Sequence, residues 1–149
     1  MKKLLIATGL ALTTALSSFA APLGPTGIDA SILSSFSGKF LSAENVQWVQ
    51  RPDYTEAKFT WQNQLMQAFY STEGEIIAVS RKIKYENLPL TALMAIEERY
   101  AGYTNDETIE MNSTEDGLRY YVSIKNQSKK IILKITPQGE LSIFKKENL

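Results

Sequence analysis

A turn-and-strand phrase is written twice in this chain, as Ser71 to Val79 (STEGEIIAV) and, sixty-five positions later, as Thr136 to Phe144 (TPQGELSIF). When Gly74 is laid on Gly139, Phe59 falls on Ile124, Met66 on Ile131, Ala68 on Leu133, Tyr70 on Ile135, Ile76 on Leu141 and Ala78 on Ile143. Apolar meets apolar at every second position, the period of strands with one buried face. A one-faced helix precedes each set of strands. In the first half Asp29 is placed to cap it, and Ile32, Leu33, Phe36 and Phe40 recur at spacings of three and four until Gly38 to Leu41. In the second, Leu88-Pro89 opens it, Leu93, Ile96 and Tyr100 form the inward stripe, and Gly102 ends it.

The strands of the first half begin at Val46 to Val49, continue through Thr55 to Trp61 and Leu65 to Tyr70, and resume after the Glu73-Gly74 turn. Those of the second are expected near Thr108 to Asn112, Leu118 to Lys125, Lys129 to Ile135 and Glu140 to Lys146. One helix with one apolar sheet face is too little to stand alone. Two such units, residues 29 to 85 and 88 to 146, predict a single α+β domain of two layers: one antiparallel sheet with both helices packed on the same face.

The start of the chain predicts export. Met1-Lys2-Lys3, the uncharged apolar run Leu4 to Leu16 and the small-residue site Ser18-Phe19-Ala20 are the three regions of a signal peptide, with cleavage expected after Ala20 and a Pro/Gly-rich leader following over residues 21 to 28. The apolar run is shorter than the roughly 17 to 25 residues that span a bilayer, so no lasting membrane insertion is expected. The chain has no cysteine, which excludes both disulfides and a lipidated cysteine. A periplasmic or secreted product is the expectation. Its 14 basic and 16 acidic side chains after residue 20 argue against nucleic acid, which rewards a strongly basic domain. The sequons at Asn112 and Asn126 carry meaning only in a eukaryotic secretory route, and the Lys-Lys signal reads as bacterial.

With no histidine and no cysteine, the chain cannot build a Ser-His-Asp or Cys-His site, a histidine-ligated metal site or a redox pair. Glu97-Glu98, Asp106-Glu107 with Glu110, and Glu115-Asp116 supply carboxylates, but neighbouring acids point apart and read as solvated surface rather than a glycosidase pair. Asn112 to Gly117 lacks the acid spacing and closing glutamate of a calcium loop and reads as a polar hairpin turn. No catalytic residue, cofactor or metal is expected.

Two features point towards partners. Acidic residues dominate Glu86 to Gly117 and basic ones Leu118 to Leu149, so the molecule is either electrically two-ended or the two segments neutralise each other. Strand alternation also sends Leu65, Phe69, Ile77, Val79, Tyr121, Ile132 and Phe144 to the face away from the helices, among Arg119, Lys125, Lys130, Lys134 and Lys146. A large apolar patch mixed with basic groups is typical of a protein or peptide interface. A bulge or register change in one strand would instead swap its faces. The alternative is a small-ligand or stress sensor with a pocket between sheet and helices lined by Trp48, Trp61, Tyr100 and Tyr103, aromatics that equally suit the core.

Phe36-x3-Phe40-x2-Ala43-x-Asn45-Val46-x-Trp48, the Leu88-Pro89 helix start with Ile96 and Tyr100, and the turns at Gly74-Glu75 and Gly139-Glu140 resemble the PepSY-like, beta-lactamase-inhibitor-like proteins, small exported proteins of Bacteroidetes. The likeness runs over residues 29 to 146, with Leu41 departing from the proline usual there. It implies a duplicated helix-and-strands domain, the periplasm, no catalytic residues and, by analogy of fold to a protein inhibitor, protein binding.

Overall fold

The structure, a computed structural model, describes residues 27–149. The expected signal peptide and most of the expected leader lie outside them. Helix α1 (Ala30–Lys39) is followed by β1 (Glu44–Gln50), β2 (Thr55–Trp61), β3 (Gln64–Tyr70) and β4 (Ile76–Lys82); after a single 3-10 turn (Tyr85–Asn87) come α2 (Leu90–Arg99), β5 (Thr104–Ser113), β6 (Gly117–Lys125), β7 (Lys129–Ile135) and β8 (Leu141–Asn148). All eight strands join one antiparallel sheet in chain order, so every strand connection except the one through α2 is a hairpin or tight link. The architecture is α+β with the order helix, four strands repeated.

Each helix starts and stops for a local reason. The Asp29 carboxylate accepts from the Ser31 backbone N–H at 2.8 Å, satisfying one orphan donor of α1. Pro89 stands at the N-cap of α2, where its lack of an N–H costs nothing, and its carbonyl accepts from Ala92 and Leu93. Beyond the helices the chain reverses through left-handed residues, Ser42 (φ 63°) after α1 and Gly102 (φ 85°) after α2.

Both helices lie on one face of the sheet, each over its own core. Ile32, Phe36 and Phe40 of α1 pack on Trp48, Ala57, Phe59, Met66, Ala68 and Tyr70. Phe59 sits between the two phenylalanines, with ring centroids 4.8 Å from Phe36 and 4.7 Å from Phe40. Burying such a ring contributes about 2–3 kcal/mol. Under α2, Leu88, Ala92 and Ile96 meet Tyr120, Val122, Ile124, Ile131, Leu133 and Ile135. The second stripe thus also takes in Ala92, which is fully buried, while Leu93 of the expected stripe is half-buried at its border.

The alternation is broken at four places. Residues are added without a partner in β1 between Glu44 and Gln47, in β4 at Ile77, in β5 at Asp106 and in β8 at Phe144. Each bulge bends its strand and exchanges the faces beyond it. The one in β4 overturns an expected correspondence: Ala78 lies on the face away from the helices, whereas Ile143, its expected counterpart, stands opposite Leu133 on the helix face and is exposed on the edge strand.

Candidate binding face

The sheet face without helices is built in rows, because directly opposed residues of paired strands share a face. One row reads Lys58, Gln67, Ser80, Met111 and Arg119; the next reads Lys82, Ile109, Tyr121 and Lys134; a third reads Glu107, Ser123, Ile132 and Lys145. Polar ends thus bracket an apolar middle.

That middle is a third core. Tyr54, Phe69, Ala78, Ile109, Met111, Tyr121 and Ile132 form a buried cluster with Ile77 and Phe144 at its border, and no helical residue belongs to it. The structure therefore corrects the expected availability of the face. Phe69 is 0 % exposed and Tyr121 and Ile132 are each 6 % exposed, because the side chains of a bent, bulged sheet cover one another. Val79 is not on this face at all. The extra residue Ile77 places Ile77 and Ala78 on the same side, and Val79 turns towards the α1 core. Of the seven residues singled out, Leu65 is freely exposed and Ile77 and Phe144 are partly so. Leu133 and Tyr121 do fall on opposite faces, as predicted.

Polar groups on the face are tied into networks that strand alternation alone does not reveal. Glu56, 2 % exposed, accepts from Gln67 Nε2 at 3.0 Å and lies 3.6 Å from Lys58 Nζ, while Ser80 Oγ donates to Gln67 Oε1 at 3.1 Å. Burial pushes the Glu56 carboxyl up, and the Lys58 charge offsets part of that rise. At the other end Asp106 receives two ammonium groups, Lys125 at 2.6 Å and the buried Lys130 at 2.8 Å. Their hydrogen bonds hold its carboxyl down at about 2. Asp106 reaches both because it is the bulged residue of β5.

These pairs also join part of the acidic segment to the basic one, through Asp106 and Asp116. Lys134 meets Asp116 at 2.6 Å, Lys82 meets Glu107 at 3.3 Å, and on the helix face Arg81 Nε donates to Glu110 at 2.7 Å. Four acidic side chains of the segment, Asp106, Glu107, Glu110 and Asp116, are thus paired to bases on neighbouring strands. Arg119 and Lys145 remain at the border of the apolar middle, and among the described residues Lys145 pairs only to Glu147 of its own strand.

The expected aromatic pocket does not form. Trp48 and Trp61 belong to the α1 core, where the Trp61 indole N–H donates to the Leu41 carbonyl at 2.9 Å. Tyr100 and Tyr103 pack edge to face at the border of the α2 core. Two separate helices over separate strands keep the four apart. Among the described residues no group of acidic side chains is arranged to hold a metal ion.

No family model and no curated relative matches the chain. Solved structures do. A BLIP-like protein from Bacteroides fragilis superposes with a TM-score of 0.70 over 85% of this chain and 88% of its own, at 18% identity. The fold is BLIP-like. A DUF2874 family protein from Bacteroides ovatus shares this BLIP-like fold with a TM-score of 0.72, 20% identity and coverage of 86% and 89%. A proposed periplasmic protein from Bacteroides eggerthii does so with a TM-score of 0.72, 14% identity and coverage of 80% and 88%. No helix among the described residues is long and apolar enough to cross a membrane.

Proposed function

We propose that this protein is an exported, non-enzymatic binding module that holds a protein or peptide on the sheet face away from its helices. The observation that carries it is the composition of that face. An apolar middle already buried presents the partly open side chains of Ile77 and Phe144 at its border, is edged by Arg119, Lys134 and Lys145, and shares its face with the exposed Leu65 of β3. Aromatic and basic groups around a dry centre are what protein interfaces favour. Support also comes from the export signal in the sequence and from the fold shared with BLIP-like proteins. In this reading Phe69, Tyr121 and Ile132 set the shape of the surface, and the partner touches the residues above them. An envelope enzyme held inactive in this way is the finer form of the proposal.

The test is recovery of partners from a native envelope extract, comparing the natural chain with Leu65→Ser/Lys145→Glu. Both side chains are largely exposed, so melting temperature should hold while the partner is lost. Equal recovery by the two chains, or repeated recovery of nothing, would count against the proposal. Inhibition of a recovered enzyme by the purified chain would establish the finer form.

A further inference from the structure

The two units match residue for residue over their opening elements, at a constant spacing of sixty. Ile32, Phe36 and Phe40 of the α1 core answer to Ala92, Ile96 and Tyr100 under α2. The first strand of each unit carries its bulge at the same place, between Glu44 and Gln47 in β1 and between Asn105 and Glu107 in β5. The match continues backwards to the first described residues. Gly27 has 3-10 conformation and Ile28 is a buried bend residue directly before the helix cap, as Asn87 and Leu88 are ahead of α2.

Ahead of Leu88 the second unit is closed by its own chain. β4 and the residues after it run antiparallel along the outer edge of β5, where Arg81 stands opposite Glu110 and the Ile83 backbone N–H donates to the Thr108 carbonyl at 2.9 Å. Ile83 and Tyr85 then pack with Leu93 at the border of the α2 core. In the first unit the residue equivalent to Thr108 is Trp48. The Arg51 N–H donates to the Tyr54 carbonyl at 2.8 Å, so the bonds of β1 to β2 alternate through Arg51 and Val49, and Trp48 and Gln50 turn their N–H and C=O groups to the outer edge. Among the described residues β1 pairs only with β2, and a groove of about 600 Å³ lined by Leu33, Phe36, Val46 and Trp48, among others, runs between β1 and α1. An outer edge of backbone donors and acceptors beside an apolar groove is a template for one more strand.

The sequence ahead of Gly27 has the length and the residues for it. The spacing of sixty puts Ala21 at Arg81, Leu23 at Ile83 and Pro25 at Tyr85. Leu23 brings the aliphatic side chain and the N–H that Ile83 supplies in the second unit. Pro22 falls at Lys82, opposite Ile109 and between the hydrogen-bonded pairs, where a backbone N–H points away from the neighbouring strand. Pro25 falls at Tyr85, the first residue of the 3-10 turn, where the missing N–H costs nothing.

We propose that leader residues 21 to 25 are the closing strand of the first unit. They run antiparallel to β1, with the Leu23 N–H donating to the Trp48 carbonyl and the Leu23 side chain in the groove between α1 and β1. Removal of the signal peptide after Ala20 then leaves an N-terminus fastened to the sheet, and the groove is filled from within the chain. This arrangement lies away from the binding face assigned above and stands or falls separately from it.

Hydrogen exchange followed by amide NMR tests it, comparing the chain that begins at Ala21 with one that begins at Gly27. The Leu23, Trp48 and Gln50 amides should exchange slowly in the first chain, and those of Trp48 and Gln50 about tenfold faster or more in the second. Leu23→Pro removes the donor and alters none of the described residues, so it should match the truncation, and it carries the test if the shortened chain fails to fold. Leu23→Ile should keep the protection. Equal exchange of Trp48 and Gln50 in the chains with and without residues 21 to 26 would overturn the proposal, as would protection that survives Leu23→Pro. Protection that rises with chain concentration would give the edge to a second copy and would overturn it as well.

Discussion

At the scale of single residues, Glu56 and Asp106 on the helix-free face respond to pH in opposite directions. Glu56 is held above its ordinary range by burial, so the folded state retains a proton that the unfolded chain has lost. Stability from this group therefore falls as pH rises from the ordinary glutamate value through the folded one, and the ionised form is a cost at neutral pH. Glu56→Gln should keep the acceptor for Gln67, raise stability at pH 7 by about 1 kcal/mol and flatten that part of the pH profile, as denaturant melts at several pH values would show. Asp106 behaves conversely. With its carboxyl at about 2, its contribution is complete above the ordinary aspartate range and is lost as pH falls from about 4 towards 2. Asp106→Asn should remove that acid limb and cost about 2 kcal/mol at pH 7, because the buried Lys130 ammonium loses its closest partner. An unchanged acid limb would show that Lys130 is neutralised elsewhere.

At the scale of elements, the glycine turns that repeat in the sequence do more than reverse the chain. Gly74 and Gly139 both have φ near +90°, and each turn abuts the first turn of its own unit's helix, Gly74 at Ser31 and Gly139 at Thr91. A Cβ on Gly139 would stand 2.9 Å from backbone atoms of Thr91, which cannot move without shifting α2, whereas at Gly74 it would meet the tip of the Ser31 side chain, which can rotate. Gly139→Ala should therefore cost about 3 kcal/mol and Gly74→Ala about 1–2 kcal/mol, measured as shifts in denaturation midpoint. The turns and helices were legible because they rest on local chemistry: a capping aspartate, glycine, proline and a one-faced stripe. The β4 bulge was not. Ile76, Ile77, Ala78 and Val79 are all apolar, so nothing in their order says which of them is the unpaired residue. The extra turn of pairing in the β5–β6 hairpin was equally hidden, and it changes the spacing between the units from sixty at the helices to sixty-five at the later strands.

At the scale of the whole molecule, what matters is how the two helix-capped cores become one. They sit over different strands, and on their side of the sheet the seam between β4 and β5 is crossed by the Arg81–Glu110 pair. The third core crosses the same seam from the opposite side. Phe69 and Ala78 come from one unit and Ile109, Met111, Tyr121 and Ile132 from the other. Alternation correctly gathered Phe69, Tyr121 and Ile132 on one face. Their burial was not legible, since it comes from bends and from Tyr54 folding over Phe69, with ring centroids 5.9 Å apart. If this cluster couples the units, the chain unfolds in a single transition although its order of elements is repeated. Phe69→Ala, which empties the centre of the cluster, should cost about 4 kcal/mol and split the transition or broaden it towards two steps. Leu93→Ala, at the border of the α2 core, should lower stability while leaving the transition single. The discriminating measurement is calorimetry compared with fluorescence and circular dichroism. Coincident single transitions for Phe69→Ala would mean that the β4–β5 ladder itself, rather than the third core, binds the two units together.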